Sequence, residues 1–332
     1  MRARSLILPI SVAGATLALS ALLVVVAGGS PLLAFAALLD GSISSIPSLG
    51  ETLARSTGLI LCALAAVVAF RAGVLNIGVE GQLLMGAAAA AAIGPLFESP
   101  SVSRLALLSG AALAGALSVL PAFWLAEKRG VPPVLSTILL NLVAAAAVTW
   151  LVRGPLRDPA GDYPQSRPLS DEIRLNPLIS GFRPSAAVVL ALLLAVVVWL
   201  VLRETTWGLK LRAAGLSPKA TRSAGLNDVR IRGLSFAASG ALAGLAGGLE
   251  VAAITGRLYD PFAAGIGFTG IAAALLGGTH PLGATAAAVL FAALGVGSNA
   301  MQRDAGVPAA LATVIPAILV LALLMAKGKR KE

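Results

Sequence analysis

The side chains able to do chemistry are few, and they sit in an unexpected place. In "RAGVLNIGVEGQLLMGAAAAAAIG" (residues 71–94), Asn76, Glu80 and Gln82 stand among Gly73, Gly78 and Gly81, inside an otherwise apolar run. A carboxylate at the middle of a membrane helix costs on the order of 2.5–3.5 kcal/mol on insertion scales, so a partner must satisfy it. Helical spacing of four puts Asn76 and Glu80 on one face and turns Gln82 away. The glycines admit a second backbone at close range, or let the helix open so that free backbone groups line a cavity. Two readings follow: a polar lining or gate on a solute route, or a carboxylate near a membrane mouth that caps or pairs behind Arg71. Glu250, in "GLAGGLEVAAI", is a second carboxylate in an apolar run.

Other chemistries lack their residues. There is no GxxxxGK[ST] phosphate loop, no HExxH and no GxSxG. The single histidine, His280, precedes Pro281 and reads as a turn residue; the single cysteine, Cys62, lies in "LILCALAAVVAF" and supports neither a disulfide framework nor a thiolate metal site. The expectation is therefore a chain with no catalytic residue, no metal and no cofactor of its own.

The elements that must hold these residues are membrane helices. Of 332 residues, 58% are hydrophobic and 12% charged, with mean hydropathy +0.91, whereas soluble domains carry about 25% charged residues. Apolar segments fall at about 6–27, 52–70, 74–94, 104–126, 132–152, 186–202, 233–254, 266–279, 281–300 and 308–326. The expectation is an all-α bundle of roughly ten spans, one membrane domain over 1–332 in two pseudo-repeated halves. The first segment follows "MRAR" but exceeds the roughly 7–15 residues of a signal-peptide core, so it reads as a retained helix. The segment 266–279 is short for a crossing and is either a span or a re-entrant piece.

Charge sets the orientation. With the N-terminus in the cytoplasm, all six lysines (128, 210, 219, 327, 329 and 331) fall on that side, as do ten arginines. The other side receives nine arginines, five of them in the loop 153–185, where four acids offset them. This is the bias that orients helices on insertion; both termini are read as cytoplasmic, and the net charge of +10 needs no nucleic-acid partner.

Three further patterns stand out. The segments 73–86 and 265–278 are both apolar and glycine-interrupted, as paired broken helices around a transport site are. "SGALAGLAGG" (239–248) aligns Gly240, Gly244 and Gly248 for tight helix packing. The loop 203–232, within "RETTWGLKLRAAGLSPKATRSAGLNDVRIRG", reads as two short helices meeting at Leu216–Pro218, with Ser217 capping the second. Its small residues, among them Ala213, Ala214, Gly215, Ala220, Ala224 and Gly225, suit docking into a partner's groove.

Together, "FRAGVLNIGVEGQLLMGA" (70–87), "VPPVLSTILLN" (131–141), "GLKLRAAGLSPKATRSAGL" (208–226), "SGALAGLAGGLE" (239–250) and "GFTGIAAALLGGTHPLGA" (267–284) resemble the permease subunits of ATP-binding-cassette importers. The branch is that of branched-chain amino acid, ribose-type sugar and nucleoside permeases, and the nucleoside type looks nearest. The likeness covers nearly the whole chain in order, and "NIGVEGQ" is its most specific element.

The resemblance implies a prokaryotic plasma-membrane assembly. Two permease subunits, the second a related heterologous chain, sit over ATPase subunits that bind ATP and magnesium, and an extracytoplasmic binding protein or lipoprotein delivers solute. It assigns 208–226 to docking on the ATPase, with Gly208, Lys210, Arg212, Ala213, Gly215, Ala220 and Gly225 as candidates. Thr221–Arg222–Ser223 stand where the family's loop often has adjacent alanines. Asn76, Glu80, Gln82, Phe268 and Thr269 are the expected route lining: amide and carboxylate suit ribose hydroxyls and base edges, and Phe268 suits stacking on a base. The alternatives are a permease for simple sugars or branched-chain amino acids and, in another class, an ion-coupled transporter with Glu80 and Glu250 as proton carriers. The five arginines of the loop 153–185 suit an acidic patch on a binding protein.

Overall fold

The computed structural model describes residues 4–179 and 182–328, and nearly all regular structure among them is helical. In chain order the helices are α1 (Arg4–Val26), α2 (Pro31–Ser42), α3 (Ile46–Arg71), α4 (Val79–Ile93), α5 (Pro100–Ser118), α6 (Leu120–Arg129) and α7 (Pro133–Arg153). There follow α8 (Ala186–Glu204), α9 (Thr206–Leu216), α10 (Pro218–Ser223), α11 (Asp228–Leu249), α12 (Ile266–Leu276), α13 (Pro281–Asp304) and α14 (Ala309–Gly328). Proline opens α2, α5, α7, α10 and α13, where its missing N–H is no loss and its fixed φ favours the first turn. Gly130, at φ 66°, ends α6 in the left-handed conformation that glycine adopts without strain.

Among the described residues, seven helices are long and apolar enough to cross a membrane, or eight if α1 and α2, bent by 112°, count as one span. The expected ten is therefore not reached by length and hydropathy. The helix α12, with 11 residues, is a short apolar helix rather than a full crossing, and the described apolar part of α14, Ala309–Ala322, also falls short. α5 and α6 form one 30-residue apolar stretch, Pro100–Arg129.

The chain divides into two compact units. One comprises residues up to Leu53, a short piece ending at Arg183, and the chain from Val289 onward. Its core is Val24, Ala34, Leu38, Leu294, Met301, Val307, Ala312, Ile315 and Val320. Gly297 and Gly41 let α13 press on α2: a Cβ on Gly297 would overlap the carbonyl of Leu38, and one on Gly41 would overlap Ala300. Arg183 pairs with Glu51 at 2.7 Å within this unit.

The other unit, Ala54–Ile179 with Pro184–Ala288, is built on close backbone contact of α4, α5 and α11. A Cβ on Gly244 would overlap the carbonyl oxygen of Ala111, and one on Gly240 that of Gly115. Gly86 of α4 meets Gly244 itself, Gly247 meets the carbonyl of Leu83, and Gly248 rests on the Ala111 methyl at 2.6 Å from an added Cβ. Where lipid tails are as apolar as leucine, van der Waals contact of this kind is what holds helices together.

α12 runs parallel to the second half of α3 in constant register. Ile266 lies by Gly58, Gly270 by Cys62 and Thr279 by Arg71, each pair 208 positions apart. At 1.5 Å rise per residue, Gly58 is about 20 Å along α3 from Arg71, so α12 begins deep inside the bundle. Beyond α11 a π-helical turn, Glu250–Thr255, leads into the irregular stretch before α12. The segment 164–175 lies along that stretch: Leu175, Leu169 and Ser166 donate backbone N–H to Ala252, Gly256 and Leu258, and Asp260 donates to Pro164.

Candidate functional site

Two interrupted helices meet at Glu80. The chain leaves helical geometry after Arg71, turns at Gly73 (φ 75°) and re-enters a helix at Val79. Glu80 thus lies in the first turn of α4, not at mid-helix, and Asn76 precedes the helix altogether. The face shared by Asn76 and Glu80 in the sequence reading does not exist, because helical period was carried across a non-helical stretch. Asn76 instead pairs with Gln82, the residue expected to point away.

The carboxylate of Glu80, 7% exposed, reaches the N-terminus of α12. Oε1 accepts from Gly265 N at 2.6 Å; Oε2 accepts from Gly267 N at 2.6 Å and from Phe268 N at 3.3 Å. These are among the donors a helix start leaves without partners, and a carboxylate there is favoured by both hydrogen bonding and the helix dipole. A Cβ on Gly267 would stand 2.5 Å from Glu80 N, so only glycine allows the approach. Glu80 is a tertiary cap whose two oxygens are both engaged.

The start of α4 is closed by amides. Asn76, wholly buried at 0% exposure, donates Nδ2 to Gln82 Oε1 and to Ser239 Oγ, both at 2.9 Å. Its Oδ1 accepts from Gly78 N at 2.9 Å and from Gln82 Nε2 at 3.0 Å. That uses all four positions of the amide. Asn141 of α7 accepts from Gly81 N at 2.8 Å and donates to Ile77 O at 3.0 Å, and Thr137 Oγ1 accepts from Ile77 N at 3.2 Å. Irregular backbone at membrane depth survives only when its polar groups are satisfied by protein, and these side chains do that.

Beside the amides is a cavity of about 220 Å3. Gln82, Asn141, Thr137 and Ser118 supply its polar wall, and Met85 and Leu140 much of the remainder. Gln82 and Asn141 each keep one amide hydrogen and one lone pair unused within this network. On α12, Phe268 is 48% exposed and Thr269 half-buried. Asn141, Thr137 and Ser239 escape sequence reading because their partners are 60 or more positions away. Gln82→Leu is expected to cost roughly 1–3 kcal/mol by breaking the reciprocal amide pair; thermal unfolding in detergent measures it, and an unchanged midpoint would count against the network.

α9 and α10 form the two short helices, with Ser217 Oγ accepting from Ala220 N at 3.3 Å. Their small residues do two jobs. Gly208 packs on the carbonyls of Val201 and Leu202, and Gly215 lies on the turn after α3, where Gly73 would carry a Cβ 3.1 Å from Gly215 Cα. Lys210, Lys219, Ala220, Ala224 and Gly225 are exposed, while Arg212 and Ala213 are half-buried. Leu216, which the sequence marks only as part of the joint, is 88% exposed at the corner between the helices. Arg222 holds the buried Asp228 at 2.9 Å, fastening α10 to α11.

The model of the family described as "Branched-chain amino acid transport system / permease component" matches residues 48–324. The chain belongs to that family. It is a multi-pass membrane protein of the permease type. The guanosine ABC transporter permease protein NupP of Bacillus subtilis is 35% identical over 316 residues, covering 92% of this chain and 89% of that protein. The glucose ABC transporter permease protein TsgB13 of Haloferax volcanii is 34% identical, covering 95% and 86%. The nucleoside ABC transporter permease protein NupB of Lactococcus lactis is 29% identical, covering 91% and 86%; Bacillus subtilis also carries a second similar guanosine permease protein, NupQ. No solved structure matches the chain.

Proposed function

We propose that this permease is the membrane-spanning subunit of an ATP-driven importer of nucleosides. Its companions are an ATPase that binds ATP and magnesium, a second and non-identical permease, and an extracytoplasmic binding protein. Guanosine and nucleoside relatives support the substrate class, and the NupP–NupQ pair supports a heterologous partner. The excess of lysine and arginine around α9 and α10 supports placing that loop and both termini in the cytoplasm.

The observation that carries the mechanism is the seat of Gly215 on the turn after Arg71. A force on the exposed corner at Leu216 and Ala220 passes through α9 to residues 71–73. From there it reaches the capped start of α4 and, through Glu80, the start of α12. Arg71 also holds the far end of α12, donating Nε to Thr279 O at 2.8 Å. Both ends of the short helix thus answer to one loop, a two-state element that ATPase closure can bias. Gln82, with Asn141, and Phe268 with Thr269 are left to meet solute, since Asn76 is fully bonded and both oxygens of Glu80 are engaged. In the loop 153–185, Arg157 and Arg167 are exposed and meet no carboxylate among the described residues, which leaves them for an acidic face on the binding protein.

Reconstitution with ATPase, second permease and binding protein tests this. Guanosine-loaded binding protein is expected to raise ATP hydrolysis and drive uptake. Activity with glucose and none with nucleosides would select the sugar reading, which the glucose relative favours. Uphill transport by this chain alone, abolished by collapsing an ion gradient, would refute both.

A further inference from the structure

A second cavity, of about 270 Å3, lies away from the amide network, where the ends of α3 and α8 meet α9 and the turn before α13. Arg71, Arg203, Arg212 and His280 surround it, with Trp199 beside them and Leu202 and Pro281 completing the wall. The end of α3, the consecutive helices α8 and α9, and the turn before α13 therefore bring three arginines to the wall of one small space. Their neighbours do not neutralise them. Arg71 bonds the carbonyl of Thr279, and Arg212 that of Leu202. Among the described residues neither meets a carboxylate. Arg203 lies over the Trp199 ring at 5.3 Å and pairs with Glu204 at 2.8 Å. That pair is exposed on both sides, the setting in which an ion pair contributes little.

Arg71 and Arg212 are half-buried and have lost part of their hydration, and the exposed Arg203 adds a third like charge at the rim, so the pocket favours an anion. The planar fork of arginine fits phosphate oxygens in pairs. A second observation extends the ligand beyond its phosphate. On α8, Leu193, Val196, Val197 and Leu200 are exposed, and their spacing puts them on one face. That face runs on to Arg203, with Trp199 on its flank, a cation and an aromatic near the end of an apolar span, as at a membrane–water interface.

We infer that this cavity binds a phosphate-bearing anion, with an anionic phospholipid as the source: headgroup among Arg71, Arg203 and Arg212, acyl chains along α8. The site goes beyond transport of solute. It would tie the loop helix α9 to α3 and α13 through a bound lipid.

The test uses the full chain in nanodiscs of phosphatidylcholine alone or of equal parts phosphatidylcholine and phosphatidylglycerol. Native mass spectrometry reads retained lipid, and thermal unfolding reads stabilisation. The wild-type chain is expected to retain phosphatidylglycerol selectively and to melt higher in its presence. Arg71→Gln is expected to weaken that preference roughly fivefold, about the contribution of one basic residue near an anionic surface. Arg203→Glu, at an exposed position that leaves the fold intact, is expected to weaken it roughly tenfold or more. Inorganic phosphate titrated into phosphatidylcholine nanodiscs separates the sources. Stabilisation by phosphate alone keeps the site and assigns it to a free anion; silence of phosphate beside a lipid effect assigns it to lipid. Equal retention of both lipids with phosphate silent, or a preference unchanged in both variants, overturns the inference.

Discussion

Glu80→Ala is expected to remove about 3–5 kcal/mol of stability and to end solute uptake by the assembled transporter. Three backbone donors, Gly265, Gly267 and Phe268, lose their acceptor at once, deep in the bundle where water does not replace it. Each unsatisfied donor costs about 1–3 kcal/mol, and the three are not independent. Glu80→Gln should fall between: it keeps the volume and one acceptor oxygen, but turns an NH2 toward an N–H. Glu80→Asp is shorter by a methylene and should not reach both Gly265 and Gly267. Unfolding midpoints in detergent and uptake in proteoliposomes give the order of the series. Alanine matching wild type in both would dismiss the tertiary cap.

Gly244→Val should be worse still, leaving little folded protein in the membrane. Its side chain would enter the backbone of α5 at Ala111, and α4 at Gly86 lies against the same residue, so neither neighbour has a flexible tip to move aside. Overpacking of a tight core costs typically 1–3 kcal/mol when side chains can shift; here main chain must move, and the loss should exceed that range. Gly295→Ala is the matched control. Nothing lies within 4 Å of its added Cβ, so it should be harmless or gain up to about 1 kcal/mol from helix propensity. Folded yield by fluorescence size-exclusion chromatography separates the two; equal losses would mean that glycine acts here by something other than space.

Much of this was legible beforehand. Hydropathy gave the helical class and most of the apolar segments, and Pro218 after Ser217 marked the joint between α9 and α10. The spacing of Gly240, Gly244 and Gly248 identified a small-residue stripe; it said nothing of which helices meet it, and Gly86 and Gly247 belong to the same contact without sharing its spacing. The site was harder. Period-3.6 reasoning assumes an unbroken helix, and the non-helical residues 74–78 reversed which polar residue Asn76 meets. α2 was missed because twelve residues containing Asp40 look like a connection rather than a helix. Partners such as Asn141 and Ser239 are set by packing of distant segments, which no local pattern records.

The clasp between Glu80 and α12 engages only main-chain nitrogens. It therefore imposes almost no demand on neighbouring side chains, apart from glycine at 267, for space, and at 265, where φ is 88°. The side chains of Phe268 and Thr269 can therefore vary without releasing the start of α12 from Glu80.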